Sequence, residues 1–295
     1  MKKKNTIAMA LAASMLLPSN AMALAPSDFS DFPSDWSAPA LEKALENGLL
    51  SGADGKINAS GELTRAEMAA IMNRAFGASQ TASLNGYTDV PQGAWYANDM
   101  AKAVKMGIFV GADGKLFPTD AITREEAFAV LARAFALPDG NVSSLDQFSD
   151  AGEVSSWAKA SLAALVETGS VSGSNGKLNP KSSITRAEFA QVMSALISRY
   201  VDSSEDEIPT TVEGSMMIRT AGVSLNGVTI NGDLILADGI GTGDINLEGC
   251  KITGRLIIRG GTVNMNNTTV SEGVTVANPN TTTGLSVKGG ALSNV

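Results

Sequence analysis

Two periodicities divide this chain. Over its first two-thirds, apolar residues recur at helical spacing. Met68, Ile71, Met72, Ala75 and Phe76 follow i, i+3, i+4, and Phe128, Leu131, Ala132 and Phe135, then Phe189, Val192, Met193 and Leu196, repeat the pattern. Past residue 212 the spacing drops to short period-2 runs. Leu225, Val228, Ile230, Leu234 and Leu236 lead. Leu247, Cys250, Ile252, Leu256 and Ile258 follow 22 residues later, and Met265, Thr268, Val270, Val274 and Val276 follow 18 residues after those. A partial copy begins at Leu285 and Val287. Turn residues such as Asn226-Gly227, Asn231-Gly232 and Thr253-Gly254 separate the runs. The pattern predicts a multidomain chain: all-α helix-turn-helix repeats, then an all-β right-handed parallel β-helix, or solenoid. A small β-sandwich is the rival for the tail, and the recurrence at about 20 residues favours the solenoid.

The helical part is itself threefold. Phe29-Ser30-Asp31, Trp36, Gly52-Ala53-Asp54-Gly55-Lys56 and Leu63-Thr64-Arg65-Ala66-Glu67 form the first copy. The second has Tyr87-Thr88-Asp89, Trp95, Gly111-Ala112-Asp113-Gly114-Lys115 and Ile122-Thr123-Arg124-Glu125-Glu126. The third has Phe148-Ser149-Asp150, Trp157, Gly173-Ser174-Asn175-Gly176-Lys177 and Ile184-Thr185-Arg186-Ala187-Glu188. In each, a first helix stops at a glycine (Gly48, Gly107, Gly169), a glycine-rich turn follows, and Thr-Arg-x-Glu opens a second helix.

Thr and Glu three apart are a capping box and need no functional explanation. The arginine does, because a cation at the first helical position opposes the helix dipole by roughly 0.3–1 kcal/mol. Two readings follow. Each Arg holds an anionic ligand bidentately beside a helix N-terminus, or each pairs with a nearby Asp such as Asp31, Asp89 or Asp150. Each tryptophan is likewise either core or an apolar face for a sugar ring.

This constellation resembles the S-layer homology (SLH) domain in three copies, over about residues 28–200. The resemblance implies a pseudo-threefold helical spindle whose inter-repeat grooves bind a secondary cell-wall polysaccharide, often through a pyruvate ketal. It implies a glycan-binding set of Arg65, Arg124 and Arg186, of Trp36, Trp95 and Trp157, of Gly52, Gly111 and Gly173, and of Asp31, Asp89 and Asp150. The second repeat carries the fullest pattern. The first has Ala59 where the others have Pro118 and Pro180, and the third has Asn175 in place of Asp.

Composition narrows the chemistry. No histidine and one cysteine rule out a Ser-His-Asp triad, imidazole metal sites and internal disulfides, and no cofactor or metal is expected. A net charge of −8 argues against sequence-independent nucleic-acid binding. The residues beyond 211 hold 15 of the 30 glycines and almost balanced charge, six acidic and five basic. Cys250 falls in an apolar column and reads as a buried thiol. Lys251, Arg255, Arg259 and Asp238 read as solvated charges.

Lys2-Lys3-Lys4, an apolar run from Ile7 to Leu17 and Ala21-Met22-Ala23 predict a signal peptide within residues 1–25, cleaved after Ala23. The expected layout is repeats at 26–79, 84–140 and 145–200, an acidic linker at 201–211 and a solenoid at 212–295. The expected role is non-enzymatic anchoring at the cell wall or S-layer, with no nucleic acid, no transmembrane segment, and self-association through the solenoid. The alternatives are a surface polysaccharide-degrading enzyme with a catalytic β-helix, and a tether from outer membrane to peptidoglycan.

Overall fold

The computed structural model describes residues 24–278 and 282–292; the expected signal peptide lies outside them, apart from its last two positions. Six α-helices fill the N-terminal unit: α1 (Ala38–Glu46), α2 (Arg65–Ala75), α3 (Ala97–Lys105), α4 (Arg124–Ala134), α5 (Lys159–Glu167) and α6 (Arg186–Leu196). The capping box forms at the start of each second helix. Thr64, Thr123 and Thr185 accept from the backbone N–H of Glu67, Glu126 and Glu188, whose carboxylates reach back to the cap.

The repeats interlock in a ring. Leu63 N–H donates to the Ile184 carbonyl, Ile184 to Ile122, and Ile122 to Leu63, at 2.9–3.0 Å. All three side chains are fully buried at the axis. Each first helix packs on a second helix from another repeat: α1 on α6, α3 on α2, α5 on α4. Burying one apolar stripe of a short helix therefore requires a neighbouring repeat.

The tail is a parallel solenoid of three faces. One face stacks β1 (Arg199–Val201), β3 (Met216–Ile218), β6 (Leu234–Leu236), β9 (Leu256–Ile258) and β11 (Val274–Val276). A second stacks β2 (Thr211–Glu213), β5 (Thr229–Asn231), β8 (Lys251–Ile252) and the end of β10 (Thr262–Val270). A third stacks β4 (Ser224–Asn226), β7 (Asp244–Glu248), the start of β10 and β12 (Gly284–Leu292). The registers reproduce the sequence columns: Leu225 faces Leu247, Leu247 faces Met265, and Met265 faces Val287. Cys250 is buried between Val228 and Thr268, where burial raises its thiol pKa above the ordinary value. Gly232 sits at a corner where a Cβ would come within 2.6 Å of the Gly214 carbonyl carbon, so no larger residue fits without a shift.

Two expectations change here. The segment read as a linker begins inside the first rung, since β1 includes Val201 and pairs with β3. Tyr200 and Val201 are buried there, which the acidic residues just downstream concealed in the sequence. Second, the solenoid charges are not all solvated. The helical unit covers the first face, with Met217, Ile235 and Ile257 joining the helical core. At that seam Arg219 donates to the carbonyls of Asn47 and Arg74, Arg255 to those of Phe135 and Ala136, and Arg259 to those of Met106 and Ala134. Each is paired with an aspartate, Asp202, Asp233 and Asp238 respectively. Arg259 has no exposed surface and lies over the Phe76 ring. Burial raises the Asp238 pKa despite that arginine. Only Lys251 of the four residues fits its expected exposure.

Candidate functional site

The glycine-rich segment of each repeat is a tight hairpin. Asp54 and Gly55, Asp113 and Gly114, and Asn175 and Gly176 all have φ between 50° and 70°. That is a type I′ turn, which asparagine serves as well as aspartate. The preceding glycine lets an aromatic ring approach: a Cβ on Gly173 would lie 2.8 Å from Phe148 and 2.5 Å from the Lys177 carbonyl. Asp31, Asp89 and Asp150 then pin the segment after the hairpin. Asp31 accepts from Ile57 and Asn58 N–H, Asp89 from Leu116 and Phe117, Asp150 from Leu178 and Asn179. Burial raises the pKa of Asp31 and Asp150, but these N–H bonds outweigh it, and both carboxyls end below their ordinary value.

The three aspartates are therefore not the ion-pair partners of the arginines. Each Arg instead crosses to another repeat. Arg65 Nε donates to the Leu116 carbonyl, Arg124 to Leu178 and Arg186 to Ile57, at 2.8–2.9 Å. Each Nη1 faces the capping-box glutamate of that same repeat. Arg124–Glu188 is close at 2.7 Å, Arg65–Glu126 is 3.5 Å and Arg186–Glu67 is 3.9 Å. Among the described residues Nη2 of all three has no protein partner.

The helix N-termini themselves are already satisfied. Arg124 N–H donates to Ser182 and Glu125 N–H to Pro180, and the other two helices do the same at Asp120 and Pro118 and at Gly61 and Ala59. An anion would thus meet guanidinium edges, not free backbone amides. The bond needs only a carbonyl, so Ala59 replaces proline without losing it. Desolvation lowers the pKa of all three guanidiniums, with the glutamates acting against it. They are cations largely stripped of water, with one face left for a ligand.

A groove of about 530 Å³ opens at Arg124. Its lining includes Arg124 and Phe128 from the second repeat, Gly173 and Glu188 from the third, and Trp36 from the first. Because α1 packs on α6, the first repeat's tryptophan serves a groove between the other two. The structure thus brings Trp36, Arg124 and Gly173 together and leaves Trp95, of the same repeat as Arg124, outside this groove. Trp36, Trp95 and Trp157 are 60, 45 and 58% exposed, so none is a core residue. The Arg124 guanidinium lies over the Phe128 ring and that of Arg65 over Phe109. Gln191, Ser170, Ser172 and Ser174 also line the Arg124 groove, and motif reading did not single them out. Alignment of the three repeats carries that signal, since the other copies have mostly apolar residues there.

The S-layer homology domain family matches residues 28–69, 86–128 and 147–190. The helical unit is three S-layer homology domains. The chain is 37% identical over 195 residues to the surface-layer 125 kDa protein of Lysinibacillus sphaericus, covering 64% of this chain and 16% of that protein. It is 30% identical over 189 residues to S-layer protein sap of Bacillus anthracis, covering 63% and 23%. It is also 30% identical over 177 residues to the amylopullulanase of Thermoanaerobacterium thermosulfurigenes, covering 58% and 10%. The chain thus spans a small part of each relative's length. The amylopullulanase shares only the S-layer homology region, so its name carries no catalytic activity over to this protein. The domains and the S-layer relatives mark a secreted, cell-surface protein. Among the described residues no helix is long and apolar enough to cross a membrane.

Proposed function

We propose that the protein is a non-enzymatic anchor whose S-layer homology unit binds an anionic, pyruvylated secondary cell-wall polysaccharide, with the Arg124 groove as a principal site. The observation that carries this is the groove itself: a desolvated guanidinium whose Nη2 has no partner among the described residues, beside the exposed Trp36 indole of the first repeat. A guanidinium edge suits a carboxylate, and an exposed indole suits the apolar face of a sugar or a ketal methyl. The same cyclic helix pairing would group Trp95 with Arg186 and Gly52, and Trp157 with Arg65 and Gly111. The solenoid would present or assemble the chain. Among the described residues Val276, Leu285 and Val287 are exposed, apolar positions through which a second copy would associate.

Co-sedimentation of the purified chain with cell walls tests the anchoring. The expected result is retention of the wild type and loss with Arg124→Ala at unchanged far-UV circular dichroism. Removal of ketal-linked pyruvate from the walls should abolish retention as the substitution does. Undiminished retention in both arms would overturn the site and the ligand.

A further inference from the structure

The three repeats are alike in backbone and unlike in what they offer a ligand. Around the Arg124 groove the third repeat supplies Ser170, Ser172 and Ser174 just before and after Gly173, and Gln191 one turn beyond Glu188 on α6. The matching residues of the first repeat are Leu49, Ser51, Ala53 and Ala70. Those of the second are Ile108, Val110, Ala112 and Ala129. Helix pairing sets the first series beside Arg186 and the second beside Arg65. The Arg124 groove is therefore lined with hydroxyls and a carboxamide, the counterparts beside Arg65 are all apolar, and those beside Arg186 keep one hydroxyl, Ser51, and lack the carboxamide.

We infer that Gln191 and Ser172 make the Arg124 groove the selective one, reading hydroxyl groups on the sugar joined to the carboxylate-bearing unit. This rests on the glycan reading above and narrows it. Gln191 and Ser172 are exposed and make no hydrogen bond to any described residue. Ser170 differs, because its Oγ already accepts from the Thr168 hydroxyl. A carboxamide carries two donors and an acceptor, and a hydroxyl carries both kinds, which matches a sugar diol. A carboxylate on Arg124 alone would not distinguish one acidic sugar from another. Groups placed one helical turn away, on the same face, respond to the neighbouring residue instead. A site built to hydrogen-bond hydroxyls discriminates against ligands that lack them far better than an apolar wall does.

The test is calorimetric titration of the full chain with purified wall polysaccharide. The double variant Gln191→Ala, Ser172→Val gives this groove the side chains found beside Arg65. It should bind about 5- to 20-fold more weakly, as expected for losing one or two neutral hydrogen bonds. Both side chains are exposed, so the melting temperature should not move. The reciprocal pair Ala129→Gln, Val110→Ser, made in an Arg124→Ala background, should restore part of the lost affinity at the Arg65 groove. Unchanged affinity in the first double variant, with Arg124→Ala still losing binding, would overturn the inference and leave the anchoring reading standing. If neither Arg124→Ala nor the double variant weakens binding, both fall.

Discussion

Two sets of three arginines sit at opposite kinds of helix end. Arg65, Arg124 and Arg186 sit at the N-terminal ends of α2, α4 and α6, where a cation opposes the dipole. Arg219, Arg255 and Arg259 reach from the solenoid to carbonyls at the C-terminal ends of α1 to α4, where a cation is favoured. The first set pairs with shared capping glutamates at graded distances and keeps one nitrogen without a partner among the described residues. The second set pairs each member with its own aspartate and uses its remaining donors on main-chain oxygens. One end of the unit holds cations where the fold does not want them; the other uses cations to finish the fold.

The sharpest way to break this division is Arg259→Ala. It leaves Asp238 and several buried carbonyls without their cation in a seam closed to water. Urea unfolding should show a loss of about 3–5 kcal/mol. Arg124→Ala removes one bond to the Leu178 carbonyl and one exposed-edge ion pair, so it should cost about 1–2 kcal/mol while abolishing wall binding. Equal destabilisation by the two substitutions would dissolve the distinction between binding and structural arginines.

The sequence made one end legible and hid the other, for physical reasons. Capping boxes, hairpin turns and the stacked columns are local, so their residues lie within a few positions of one another. The Arg255 bond to Ala136 joins residues 119 positions apart, and no local pattern announces it. One signal did exist. Met216-Met217-Ile218, Leu234-Ile235-Leu236 and Leu256-Ile257-Ile258 are unbroken apolar triplets in a tail that otherwise alternates. Such runs mark strands buried on both faces, and this is the face that the helical unit covers. The grouping of Trp36 with Arg124 was hidden similarly, because it depends on which helix each repeat lends to its neighbour. The second repeat's fuller motif gave no hint that its groove borrows from both others.

A smaller effect separates exposed from buried members of the site. Trp36→Ala removes an indole that is 60% exposed, so unfolding stability should change by no more than about 0.5 kcal/mol. Wall affinity should fall about tenfold, as for losing one stacking surface. A stability loss comparable to Arg259→Ala, with binding intact, would return the tryptophan to a structural role.

The smallest effect is the acid dependence of the hairpin pins. The Asp150 carboxyl accepts from Leu178 and Asn179 N–H, and its folded-state pKa lies below the ordinary value. The ionised form is thus favoured by folding. Its contribution is present above the unfolded pKa of about 3.9 and is lost as pH falls through the lower folded value. Stability below about pH 4 should therefore drop with a slope that includes up to one proton from this group. Asp150→Asn removes that proton from the linkage. The variant should be less stable at neutral pH and show a shallower acid slope than the wild type, measured by urea unfolding at each pH. Identical slopes would mean that the carboxylate is equally comfortable in the unfolded chain, and that the pin holds the hairpin by shape alone.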